Sequence, residues 1–229
     1  MQRQHVLTVL PSKMKSDRLI KIYVGSDEEP FLVQQSLLTA ASDYFVKALK
    51  HERMSVHSEP GVLRFPEDAE ETWEVLLYWL IHRRLPDLKL SDETLVECWI
   101  LGELYVITDF QDDTMLKLLM NVDRKITSRE CIALAFQRTP PGSILRKLMA
   151  EELARLLEHE HIKYADLDAL LDGTSCVAEL LTARDLESQH PEAMYDRFQD
   201  FGCGWPWKSY LTKSGAVRLE GYAAAYTPW

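Results

Sequence analysis

The sequence predicts an α+β fold: a small mixed sheet flanked by helical hairpins, followed by an all-α C-terminal extension. Three observations predict it. Two short apolar runs, Leu19-Ile20-Lys21-Ile22-Tyr23-Val24 and Phe31-Leu32-Val33, flank the acidic turn Gly25-Ser26-Asp27-Glu28-Glu29. A third run, Val62-Leu63-Arg64-Phe65, follows a stretch of helical periodicity. From Ile126 onward the pattern is helical alone.

β-branched and aromatic side chains fill the first run and suit a pleated surface. Gly25 and the short polar residues after it supply turn chemistry, and Pro30 suits a strand entry. Ser36 to Lys50 reads as two helical pieces broken near Ser42, with Leu37, Leu38, Ala41, Phe45 and Leu49 on one apolar face. Ser36 is expected to cap the first piece, and Ser42 with Asp43 to start the second. His51 to Gly61 is polar and aperiodic, hence a loop. Pro66 ends the third strand. Asp68 with Glu71 forms a capping box without the hydroxyl. The helix it opens carries Trp73, Leu76, Leu77, Leu80 and Ile81 and should stop before Pro86. Ser91 is expected to cap the next helix, and Asp109 or Asp112 to open the one after it.

In the extension, Thr127 with Glu130 forms a capping box. Pro140-Pro141-Gly142 breaks the chain, and Ser143 to about His159 is an amphipathic helix. Shorter helices are expected over 166–171 and 176–187. Beyond Pro191 the chain is aromatic- and Gly-rich, so irregular structure is expected, with one short strand pair at Tyr210–Leu211 and Val217–Leu219. The domain reading is therefore an α+β domain at 15–122, a helical extension at 123–190 and an irregular aromatic-rich tail at 191–229.

At 229 residues and 46% hydrophobic, the chain has ample apolar material for a packed core. The net charge is −10, and each half carries more acid than base, with no Lys/Arg block. Displacing counterions from phosphate needs clustered positive charge, so nucleic acid and anionic membrane are not expected partners. No apolar run reaches the length that crosses a bilayer, and the N-terminal residues lack a signal-peptide hydrophobic region. An intracellular protein of cytoplasm or nucleus is expected. Cys98, Cys131, Cys176 and Cys203 are widely spaced and read as free thiols.

Candidate chemistry is sparse. His51 and His57 lie near Glu52 and Glu59 in one loop, but nothing in their spacing enforces convergence on a metal. His159 and His161 straddle Glu160 at a helix end, where imidazolium stabilises the helix C-terminus. Cys203 has no positioned histidine, and neither a Gly-x-Ser-x-Gly elbow nor a phosphate-cradling glycine loop occurs. Glu67, Asp68, Glu70 and Glu71 read as helix-start electrostatics. No catalytic residue, cofactor or metal is assigned. Trp205, Trp207 and Trp229 are expected to fold back over the helices rather than form an exposed anchor surface.

Four segments resemble a known family when taken together. Phe31-Leu32-Val33-Gln34-Gln35-Ser36-Leu37-Leu38 leads into Ala40-Ala41-Ser42-Asp43-Tyr44-Phe45. Phe65-Pro66-Glu67-Asp68 is followed by Tyr78-Trp79-Leu80-Ile81, and Leu101-Gly102-Glu103-Leu104-Tyr105 by Asp109-Phe110-Gln111. In this order and spacing they resemble the BTB/POZ domain over residues 5–122, particularly the divergent BTB-only proteins common in fungi. The resemblance implies a non-enzymatic adaptor that binds proteins, including itself as a homodimer. It places Val6, Leu7 and Leu10 where dimeric members carry their partner helix. A second implied role is a substrate-recruiting adaptor subunit of a cullin-based ubiquitin ligase, with Val56 and Glu59 at the docking position. Two departures stand out. Gln34 replaces the family's usual His, and Val56 and Glu59 are one position too far apart for the cullin-docking pattern.

Overall fold

The computed structural model describes residues 17–26, 28–51, 59–167, 171–189, 197–199 and 205–225. The fold is α+β, with a three-stranded mixed sheet and, among the described residues, ten α-helices. The chain divides into two compact units: Met1–Arg83 with Tyr105–Ile107, and Arg84–Leu104 with Thr108–Trp229. The helices at 92–104 and 108–122, expected in a first domain of 15–122, thus group with the second unit. Their apolar faces, including Trp99, Met115 and Leu119, belong to the same buried core as Leu148 and Leu153.

In the first unit β1 (Leu19–Val24) is the central strand. It pairs antiparallel with β2 (Phe31–Gln34), with Ile20 opposite Val33. It pairs parallel with β3 (Val62–Phe65), with Val24 opposite Phe65. Parallel neighbours need a crossover, and α1 (Gln35–Ala41) and α2 (Asp43–His51) supply it. Strand alternation buries Ile20, Ile22 and Val24 while Leu19 and Lys21 face out. Gly25 turns at φ 59, a region that favours glycine, and its N–H donates to the Phe65 carbonyl at 2.9 Å.

Ser42 breaks the helical stretch as the sequence predicts. Its hydroxyl oxygen accepts the Tyr44 N–H at 2.9 Å and donates to the Tyr105 carbonyl. The start of α1 differs from expectation. Gln34 is the cap residue and makes no side-chain cap bond. Asp17 instead accepts the Ser36 N–H at 3.2 Å and the Ser36 hydroxyl. α3 (Glu70–His82) starts after Ala69, so the capping box expected from Asp68 does not form. Left-handed Arg83, at φ 55, closes α3 before Pro86.

The second unit holds α4 (Asp92–Leu104), α5 (Thr108–Val122), α6 (Arg129–Arg138), α7 (Ile144–Glu158) and α8 (Val177–Gln189). Ser91 accepts the Thr94 N–H at 3.0 Å at the start of α4, and Ser143 accepts that of Arg146 at 3.2 Å at the start of α7. α5 begins one residue before Asp109. At α6 the cap is Ser128, not Thr127. Its Oγ accepts the Cys131 N–H at 3.1 Å and donates to Glu93, while Thr127 donates to Glu152 at 3.1 Å. Arg146, 2% exposed, donates to the carbonyls of Phe136, Thr139 and Ser175 at 3.0, 3.2 and 2.9 Å, and to Glu179 at 2.9 Å. A 3-10 turn at Tyr164–Asp166 leads into the helix expected over 166–171; residues 168–170 of it lie outside the described residues, and the Leu171 N–H donates to the Leu167 carbonyl at 2.9 Å.

The C-terminal segment departs most from expectation. The strand pair at Tyr210–Leu211 and Val217–Leu219 is absent. Tyr210 ends a 3-10 turn (Pro206–Tyr210), and Val217 lies in α9 (Lys213–Arg218), which is followed by α10 (Glu220–Ala224). The Thr212 hydroxyl oxygen accepts the Gly215 N–H at 3.0 Å, a cap that starts a helix where hydropathy alone reads a strand. Trp207 folds back as expected, 2% exposed and stacked on Phe198 with ring centroids 6.2 Å apart. Trp205 is half-exposed, and Trp229 lies outside the described residues. Among the described residues no helix is long and apolar enough to cross a membrane.

The Glu93 carboxyl is held below its usual range, chiefly by the Ser128 hydroxyl. A depressed folded value contributes stability that is present above the unfolded pKa, about 4.3, and is lost as pH falls through the folded value. Ser128→Ala removes this bond and the cap together. It should cost about 1 kcal/mol at neutral pH, with the deficit shrinking below the usual carboxylate range. Urea unfolding at neutral and acidic pH measures both.

Candidate interaction site

In the first unit strand and helix bring five aromatic rings together. Tyr44 and Phe45 come from α2, Phe65 from β3, Trp73 from α3, and Tyr105 from the short segment 105–107. The centroids of Phe65 and Trp73 are 4.6 Å apart, those of Tyr44 and Tyr105 4.9 Å, and those of Phe65 and Tyr105 5.0 Å. Asp68 sits at their edge. Its carboxylate accepts the Trp73 indole N–H at 2.8 Å and the Tyr105 hydroxyl at 2.5 Å. Burial, then the Asp68 carboxylate, pushes both phenols above their ordinary value. The rings brace β3 against α2 and α3.

The surface this cluster supports is the outer face of the sheet. Register places Leu32 opposite Lys21 and Arg64 opposite Tyr23 on that face. Leu19 and Leu32 are 54% and 61% exposed, and the Arg64 guanidinium lies 4.2 Å from the Tyr23 ring centroid. Apolar Leu19 and Leu32 thus share this face with the cations Lys21 and Arg64. Sequence reasoning did not single out this face, although the alternation of Leu19-Ile20-Lys21-Ile22-Tyr23-Val24 carries its signal.

Of the residues expected at partner interfaces, Val6, Leu7, Leu10 and Val56 lie outside the described residues. Glu59 is exposed, and its carbonyl accepts the Val62 N–H at 3.2 Å. Gln34 is half-buried at the end of β2, and Phe110 is buried in the first turn of α5. His57 and Cys203 lie outside the described residues. Among the described residues no three His, Cys, Asp or Glu converge as metal ligands. α7 ends at Glu158 and Glu160 turns back at φ 57, so the rings of His159 and His161 come within 6.2 Å. They do not point to opposite helix faces, as an unbroken helix would have them. Cys98, Cys131 and Cys176 are buried and form no disulfide. Burial, then Asp92 and Glu93, pushes the Cys131 thiol far up, away from the thiolate needed for nucleophilic work.

The second unit buries a charge cluster. Arg197, 1% exposed, donates to Asp123 at 3.0 Å, Glu152 at 2.9 Å and Glu151 at 3.4 Å. Tyr210 donates to Glu151, and Arg155 to Glu152. Burial works against the guanidinium's charge. Glu152, Tyr210, Glu151 and Asp123 outweigh it and hold the Arg197 pKa well above its ordinary value. The carboxylate side chains are at most 3% exposed, so the cluster is closed to a substrate. A separate open cavity of about 310 Å³ lies among Trp99, Glu103, Asp112, Ile144, Leu211 and Thr212.

Compared with known proteins, the chain matches no family model and no curated protein.

Removing one member of a buried ion cluster leaves its partners uncompensated, at a cost of about 3–5 kcal/mol. Arg197→Ala is expected to lose that much in urea unfolding of the full chain. Tyr105→Phe, which keeps the ring and drops one hydrogen bond, should lose about 1–3 kcal/mol.

Proposed function

We propose that the chain is a non-enzymatic protein–protein adaptor whose residues 15–122 form a BTB/POZ-like association module that pairs with a second copy of itself. The observation that carries this reading is the order of elements in the first unit. A hairpin, two helices broken at Ser42 and a third strand returning parallel to β1 follow one another in the BTB order. The motif residues Phe45, Phe65 and Trp79 are buried within it. The exposed Leu19 and Leu32 support association as the task, because a sheet face with apolar side chains is a surface to be covered. Three buried cysteines that form no disulfide fit a reducing intracellular compartment, cytoplasm or nucleus. No cofactor, metal, nucleic acid or membrane enters this reading.

Light-scattering chromatography of the full chain at several concentrations tests it. The expected mass is that of a dimer, with a self-complementary two-fold contact. Leu7→Asp combined with Leu10→Asp should reduce it to a monomer if Val6–Leu10 forms the contact; an unchanged mass would assign the contact to the face of Leu19 and Leu32. A monomer at every concentration overturns self-association, and capture of a cullin scaffold by that monomer would favour the ubiquitin-ligase adaptor.

A further inference from the structure

The C-terminal segment is attached to the helical unit in two different ways. Before Leu211 the attachment is buried: Trp207 and Tyr210 are 2% and 5% exposed and belong to the core, and the Tyr210 hydroxyl donates to Glu151. From Thr212 onward the buried residues are the small Gly215, Ala216 and Ala223, and Leu219 is half-buried against the same core, while Val217 and Tyr222 are 75% and 65% exposed. Polar bonds hold this part in place. Asp112 of α5, itself 4% exposed, accepts the Thr212 N–H at 3.0 Å and the Thr212 hydroxyl at 2.5 Å. Arg218 reaches Asp113 at 2.7 Å and the Asp109 carbonyl at 2.9 Å, with its side chain 35% exposed. Gly215 lies so close to the latch carboxylate that a Cβ there would come within 1.9 Å of Asp112 Oδ2.

We propose that residues 212–225 form a flap that opens from α5 as a unit while the helical core, with Trp207 and Tyr210, stays folded, and that Asp112 is its latch. Thin apolar burial and attachment through polar side chains are the conditions under which a segment opens below the global unfolding energy. Thr212, the first residue of the flap, also lines the cavity beside Trp99 and Ile144.

Hydrogen exchange of the full chain, read by mass spectrometry, tests the proposal by comparing residues 212–225 with α7. In Asp112→Ala, flap exchange should rise at least about tenfold, the scale of losing hydrogen bonds to a charged acceptor, with α7 unchanged. Gly215→Ala should do the same by displacing the Asp112 carboxylate. If flap and α7 accelerate together in both variants, no separate opening exists and the proposal falls. If flap exchange stays at the wild-type rate in both, Asp112 is not the latch and the proposal falls equally.

Discussion

Two adjacent carboxylates inside a helical core constrain much of the second unit. Glu151 and Glu152 follow one another on α7 and are 2% and 0% exposed. An unpaired buried carboxylate costs several kcal/mol or stays protonated. Both therefore need donors, and the nearest sequence does not supply enough of them. Thr127 and Arg155 serve Glu152, but Glu151 is served from far along the chain by Arg197 and Tyr210. The C-terminal segment is thus drawn back onto α7 by charge, and Trp207 and Phe198 enter the apolar core once it is there.

The first unit rests on a different constraint. A three-stranded sheet has one central strand, and β1 must pair on both edges while burying only one face. The two-residue period accomplishes this: Ile20, Ile22 and Val24 go inward, and the intervening residues face out. The inward face is then covered by aromatic rings rather than by aliphatic packing alone. Asp68 fixes two of those rings by their polar atoms, so the cluster has a single orientation instead of several equivalent ones.

The sequence makes the regular elements legible and their attachments largely illegible. The three strands, the break at Ser42, and the helices of α3, α4, α5 and α7 all follow from periodicity and from Gly, Pro and Ser at their ends. Three of the expected caps do not form. Ser36, Asp68 and Thr127 each looked like a cap, but each side chain bonds to a group distant in sequence: Asp17, Tyr105 and Glu152. The turn from 205 to 225 failed for a related reason. Its apolar residues lie too close together to separate strand from helix by period, and the deciding bond, Thr212 to Asp112, spans a hundred positions. The candidate interaction face was half visible, since the alternation in β1 marks Leu19 and Lys21 as outward but says nothing of which strand brings Leu32 beside them. Arg197, a lone arginine in the aromatic- and Gly-rich stretch beyond Pro191, gives no local sign of its burial.

Arg146 illustrates how such a molecule accommodates change. Most of its partners are main-chain carbonyls, at Phe136, Thr139 and Ser175, with Glu179 adding a carboxylate. A carbonyl is the same whatever side chain its residue bears. The joint between α6, α7 and the start of α8 is therefore written in one guanidinium and in the backbone. Drift at 139 and 175 leaves its geometry standing, while Phe136 also offers its ring, 4.9 Å from the guanidinium; a lysine at 146, with a single ammonium in place of a planar fork, cannot span the same set.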